Sequence, residues 1–137
     1  MVRQSQMKVA VDTNILVRAV VGDDPPQAAA ATRLLRDAQT VAVAVPVLCE
    51  FVWVLRRLYG FQPTDAGNAI RTLLTARNVV TNRPAVESGL TLLDAGGDFA
   101  DGVIAHEGRR LGGETFVSFD TKAVPLLRAQ GNSARMP

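Results

Sequence analysis

KVAVDTNIL, residues 8–16, runs as an apolar stretch into Asp12 and then resumes as Ile15-Leu16. Residues 7–12 have the length and composition of a buried strand of a parallel sheet, apolar on both faces. Asp12, Thr13 and Asn14 all suit the N-cap of a following helix over 14–20. A cap accounts for the acid, and so does a ligand that needs its charge. TFVSFDTK, residues 115–122, repeats the pattern near the other end of the chain: an apolar run, then Asp120-Thr121.

Between these two stretches the segments alternate. Helices are predicted over 14–20, 26–38, 46–58, 65–76, 84–95, 98–111 and 122–130. Proline stands at or near several starts and Gly60 closes the third. Thr64 or Asp65 is expected to cap the fourth. Strands are predicted over 7–12, 40–45, 78–81 and 114–119. Residues 132–137 either add an edge strand or trail off. This order specifies an α/β fold: a three-layer domain with a mainly parallel central sheet of four or five strands flanked by helices. Such sheets place ligands at the carboxyl ends of their strands, where Asp12 and Asp120 stand.

The chain has 137 residues, 47% of them hydrophobic and 20% charged. That is enough for one domain with its own core, read here as residues 7–137, with residues 1–6 as a polar extension. No apolar run approaches the roughly 20 residues of a membrane span, and the polar N-terminus is no signal peptide. A single cysteine, Cys49, excludes an internal disulfide and a multi-cysteine zinc site, and points to a reducing cytoplasm. The net charge of +2 permits a nucleic-acid partner without requiring one.

Further acids lie at informative positions. In the helix over 46–58, Glu50 falls within the stripe Val47, Phe51, Val54 and Leu58, and a core-facing carboxylate is costly unless paired or metal-bound. An ion pair with a nearby arginine such as Arg56 or Arg57 is the plain alternative, although Arg56, six residues on, points elsewhere on the helix. Asp98 and Asp101 are three apart near a helix start. Asp98 reads as a cap, whereas Asp101 sits deeper beside Val103 and Ile104. Four carboxylates brought to one end of a sheet, Asp12, Glu50, Asp101 and Asp120, would repel unless a cation lay among them. An all-oxygen set without Cys or His spacing suits Mg²⁺ or Mn²⁺ rather than zinc. His106 is about 140° round the helix from Asp101 and reads as a surface or packing residue. Cys49 lacks a histidine partner. No Gly-rich phosphate loop is present.

AVDTNILVRAVVGDDPPQ (10–27), VPVLCEFVWVLRRLYG (45–60), DFADGVIAHEGRRLGG (98–113) and FVSFDTKA (116–123) together resemble the PIN-domain ribonucleases, specifically the VapC toxins of bacterial toxin–antitoxin pairs. The resemblance runs from Met7 to about Leu127. It implies a metal-dependent endoribonuclease with Asp12, Glu50, Asp101 and Asp120 as catalytic and metal-binding acids. Asp98 is then an accessory acid, and Thr13, Asn14 and Ser118 are small polar positions that orient the carboxylates. Gly102 departs from the family's usual alanine. The resemblance also implies Mg²⁺, products with 5′-phosphate and 3′-hydroxyl ends, a homodimer, and a small antitoxin. The antitoxin's arginine would enter the carboxylate cluster while its apolar residues pack near Phe51, Trp53 and Leu55. Arg56, Arg57, Arg109, Arg110 and Lys122 are candidates for holding RNA. Two rival readings use the same acids: an α/β binding module in which they are helix caps, and a receiver-like or haloacid-dehalogenase-like domain phosphorylated on aspartate, with Lys122 as its lysine.

Overall fold

The computed structural model describes residues 3–137, which divide into two compact units, the described part of Met1–Asn82 and Arg83–Pro137. Of the N-terminal extension, residues 1–2 lie outside the described residues, and Gln4–Gln6 form a short 3₁₀ turn. Among the described residues there are seven α-helices, and none is long and apolar enough to cross a membrane.

In the first unit, β1 (Lys8–Ala10), β2 (Thr40–Ala42) and β3 (Val79–Val80) form a parallel sheet in that order, with Val9 opposite Val41 and Val41 opposite Val79. Val11, Val41, Val43 and Val79 are buried, while Ala10, Ala42, Ala44 and Val80 on the alternate positions are exposed. The main sheet therefore has three strands, not the four or five expected, and in this unit it is not covered on both faces. The physical reason is visible in the alternation. Alanine reads as apolar in a sequence but loses little when wetted, so a run such as VAVAV conceals a one-sided strand. The hydrogen-bonded ladders are also shorter than the apolar runs, because residues 43 and 44 already leave β2 for the next helix.

The helices of this unit are α1 (Thr13–Val21), α2 (Pro25–Asp37), α3 (Val45–Arg57) and α4 (Pro63–Leu74). Gly22 closes α1 with φ of +70°, a left-handed turn that glycine adopts without penalty. The Asp24 carboxylate accepts from the Gln27 amide and caps α2, whose first residue is Pro25. Pro63 likewise starts α4, two residues before the predicted start, so Gln62 occupies the cap position with no side-chain bond, and neither Thr64 nor Asp65 acts as the cap. Leu16, Phe51, Leu55 and Ile70 bring α1, α3 and α4 into one apolar core.

The second unit holds α5 (Arg83–Asp94), α6 (Phe99–Arg110), β4 (Phe116–Val117), α7 (Ala123–Ala129) and β5 (Ala134–Arg135). The predicted fourth strand pairs in parallel with the segment over 132–137, Phe116 opposite Ala134, as a separate two-stranded sheet. Leu92, Ala105, Val124, Leu127 and Ala134 form its core. The helices α5 and α6 meet through glycines. A Cβ on Gly102 would collide with the Ser88 carbonyl oxygen and lie 2.9 Å from the Gly89 Cα. This close approach explains why glycine replaces the alanine expected at that point in α6.

Candidate metal and RNA site

Asp12 ends the run of β1 and begins α1. Its carboxylate accepts from the Ile15 amide at 3.3 Å, the capping bond that the sequence predicts. Thr13, next along, is the only buried polar side chain among the described residues, 8% exposed. Its hydroxyl donates to the Glu50 carboxylate on α3 at 3.3 Å. Asn14 is exposed and lines a cleft of about 520 Å³ with Asp12, Ile15, Arg18, Gln27 and Leu34. A network not foreseen in the sequence flanks this cleft: Arg18 pairs with Asp23 at 2.9 Å, and the Tyr59 hydroxyl donates to the same carboxylate at 3.0 Å. The Tyr59 bond, and then Arg18, hold Asp23 below the usual carboxylate range.

Glu50 is exposed, which corrects the expected core-facing stripe. The buried face of α3 is Leu48, Phe51, Val52 and Leu55, whereas Leu58 is 66% exposed and Val47 and Val54 are half-buried. At 3.6 residues per turn Glu50 lies about 150° from the centre of that buried face. The apolar residues of α3 are too many to share one side, so composition alone misplaced the stripe. No ion pair between Glu50 and an arginine is present among the described residues. Phe51 and Leu55, 1% and 0% exposed, are core residues and unavailable as walls for a partner; of the three residues expected there, Trp53 alone is open.

Three acids of the second unit interact. Asp98 accepts from the Ala100 amide at 3.2 Å and caps α6. Asp101, half-buried in the first turn, has its carboxyl raised above the ordinary range by burial first, then by the charges of Asp98 and Asp120. Asp120 accepts from the amides of Lys122 at 2.8 Å and Ala123 at 2.9 Å, and those bonds, with the Lys122 charge, lower its pKa. The Ser118 hydroxyl accepts from the Asp120 amide at 3.0 Å, fixing the turn that carries this acid. His106 is half-buried and hydrogen-bonded to Ser88, Nδ1 to Oγ at 3.1 Å.

Asp12 and Glu50 thus belong to the first unit, and Asp98, Asp101 and Asp120 to the second. Among the described residues no group of three or more His, Cys, Asp or Glu side chains is disposed to hold a metal ion. The donors themselves suit one. All are carboxylate oxygens, the donors that hard divalent cations prefer, and Asp101 is raised by burial first and then by the charges of Asp98 and Asp120. Comparison with protein-family models matches residues 9–128 to the model described as PIN domain. No curated protein matches the chain.

Proposed function

The chain belongs to the PIN-domain family, and from that premise we propose that it is a Mg²⁺-dependent endoribonuclease acting as the toxin of a toxin–antitoxin pair. PIN domains are generally nucleases and typically use divalent metals. The finer reading, RNA as substrate, Mg²⁺ or Mn²⁺ as the ion, a homodimeric cytoplasmic protein and a small antitoxin, is our own. Asp12, Glu50, Asp101 and Asp120 are its proposed ligands and catalytic acids.

The observation that carries the reading is the family match over residues 9–128, a span that includes all four acids. The Asp101 carboxyl agrees with it: burial first, and then the charges of Asp98 and Asp120, raise it, and a divalent cation would offset that cost. A bound divalent ion would activate water and offset charge on the scissile phosphate and leaving oxygen. The residues have separate tasks. Asp12 and Asp101 supply ligand charge. Glu50, held by the Thr13 hydroxyl, would orient the attacking water or complete the metal shell. Asp120, fixed by two amides, adds charge from a rigid turn. An antitoxin arginine would compete for the same carboxylates by charge-assisted hydrogen bonds.

The reading is tested by incubating the full chain with RNA in Mg²⁺ or in EDTA. Cleavage only with Mg²⁺, leaving 5′-phosphate and 3′-hydroxyl ends and lost in Asp12→Asn, is the expected result. Capping by Asp12 and Asp98, with Asp120 accepting the amide of the first residue of α7, favours the second reading, a binding module whose acids serve as helix caps. Calorimetric titration separates the two, because a set of caps binds no Mg²⁺. A tight small partner recovered from the native host that abolishes both cleavage and Mg²⁺ binding supports the toxin role; a partner that leaves cleavage untouched removes it.

A further inference from the structure

We infer that the solvent face of α3 is a base-stacking platform for single-stranded RNA, with Trp53 beneath a base and Arg57 against the adjoining phosphate. The inference rests on the nuclease reading for its choice of ligand. Positions 50, 53 and 57 recur at helical spacing and so share one side of α3, opposite the buried side of Leu48, Phe51, Val52 and Leu55. Trp53 is 56% exposed, and Glu50, Arg56 and Arg57 are exposed too. The indole therefore stands one turn along the helix from a proposed catalytic acid, flanked by arginines three and four residues on.

A singly exposed apolar side chain needs no special account. The neighbours of Trp53 are what call for one. Arg56 and Arg57 take part in none of the hydrogen bonds or ion pairs found among the described residues, although α3 ends beside them and Glu50 lies on the same face. Two unengaged guanidinium groups beside an open indole match what a nucleotide offers: a π-face independent of sequence, and a phosphate. A second copy of the chain is a poorer match. The core of a protein–protein interface is depleted of charge, whereas here the aromatic ring is bracketed by Glu50 on one side and Arg57 on the other.

Trp53 is the only tryptophan in the chain, so its fluorescence reports on this face alone. A short oligouridine is titrated into the full-length Asp12→Asn protein in EDTA, where no cleavage occurs. Saturable quenching is expected. Trp53→Ala weakens binding, followed by anisotropy of labelled RNA, roughly 5- to 150-fold, and Trp53→Phe retains most of the affinity. Arg57→Ala reduces the salt slope of binding by about one. RNA binding that leaves the fluorescence unchanged and is equally tight in Trp53→Ala overturns the platform. A fluorescence change that tracks protein concentration without RNA, with a doubling of mass by light scattering, assigns the face to a second copy and overturns it too. Cleavage by wild type in Mg²⁺ reads the other proposal separately. Cleavage without quenching removes the platform alone, and quenching without cleavage removes the nuclease reading alone.

Discussion

The Thr13 hydroxyl donates to the Glu50 carboxylate across 37 residues of sequence, from the first residue of α1 to the exposed side of α3. Thr13 is buried and Glu50 is not, so the bond fixes the orientation of an acid that packing leaves free. Removing the hydroxyl while keeping the shape, Thr13→Val, should lower kcat for RNA cleavage about tenfold with little change in KM, the loss of one hydrogen bond to a charged group. Thr13→Ser should restore it. A Thr13→Val enzyme with wild-type kcat would show that Glu50 needs no positioning.

Asp12 both caps α1 and is proposed to bind metal, and the two roles separate by substitution. Asp12→Asn keeps an acceptor for the Ile15 amide and loses the charge. It should melt within a degree or two of wild type while Mg²⁺-dependent cleavage falls at least about 100-fold. Asp12→Ala should lose the cap as well, at about 1 kcal/mol by chemical denaturation. Equal stability of the two variants would deny the cap its contribution.

Gly102→Ala tests the contact between α5 and α6. The added methyl meets backbone, which cannot rotate away as a side chain does. Destabilisation of about 1–3 kcal/mol is expected in urea unfolding. Gly108→Ala on the same helix, where a Cβ meets nothing within 4 Å, should be neutral or stabilising. If both substitutions behave alike, the helices do not meet at Gly102.

The pH dependence of the metal-free protein follows from two opposite shifts. The Asp101 carboxyl is raised, so its contribution to stability is complete below the ordinary carboxylate value of about 3.9 and is lost as pH rises through the raised value. Asp101→Asn should therefore gain on wild type between acid and neutral pH and match it in strong acid. Asp120 is lowered, so its contribution is present above the ordinary value and is lost as pH falls through the depressed one. Asp120→Asn should lose stability at neutral pH and converge with wild type in acid. Thermal melts in EDTA across this range check both, and parallel curves for the two variants would contradict the assignment.

The order of elements was legible because Pro25, Pro46 and Pro63 stand in the first turns of helices, Gly22 ends one, and the first four strands lie in short apolar runs. The sheet was less so. Ala10, Ala42 and Ala44 carry no mark that distinguishes a wetted face from a packed one, and nothing in FVSF specifies that its partner is Ala134-Arg135. The acids were singled out by position at strand ends and helix starts, and the caps at Asp12 and Asp98 form as read. Glu50 was found with its burial misjudged, since Val47, Val54 and Leu58 suggest a core side that Leu48 and Val52 actually supply. The reason for glycine at 102 was illegible, because it depends on the Ser88 carbonyl oxygen of another helix.

Asp12, Asp98 and Asp120 each accept a backbone amide at the head of a helix, and asparagine can accept the same bond. A single-nucleotide change from an aspartate to an asparagine codon therefore strips away charge while leaving the helix start in place. On the proposed nuclease reading, lineages carrying this scaffold would lose hydrolysis without passing through an unfolded ancestor, and would regain it by the reverse step. What persists in such a descendant is a folded scaffold that has kept its surface and lost only the charge of its acids.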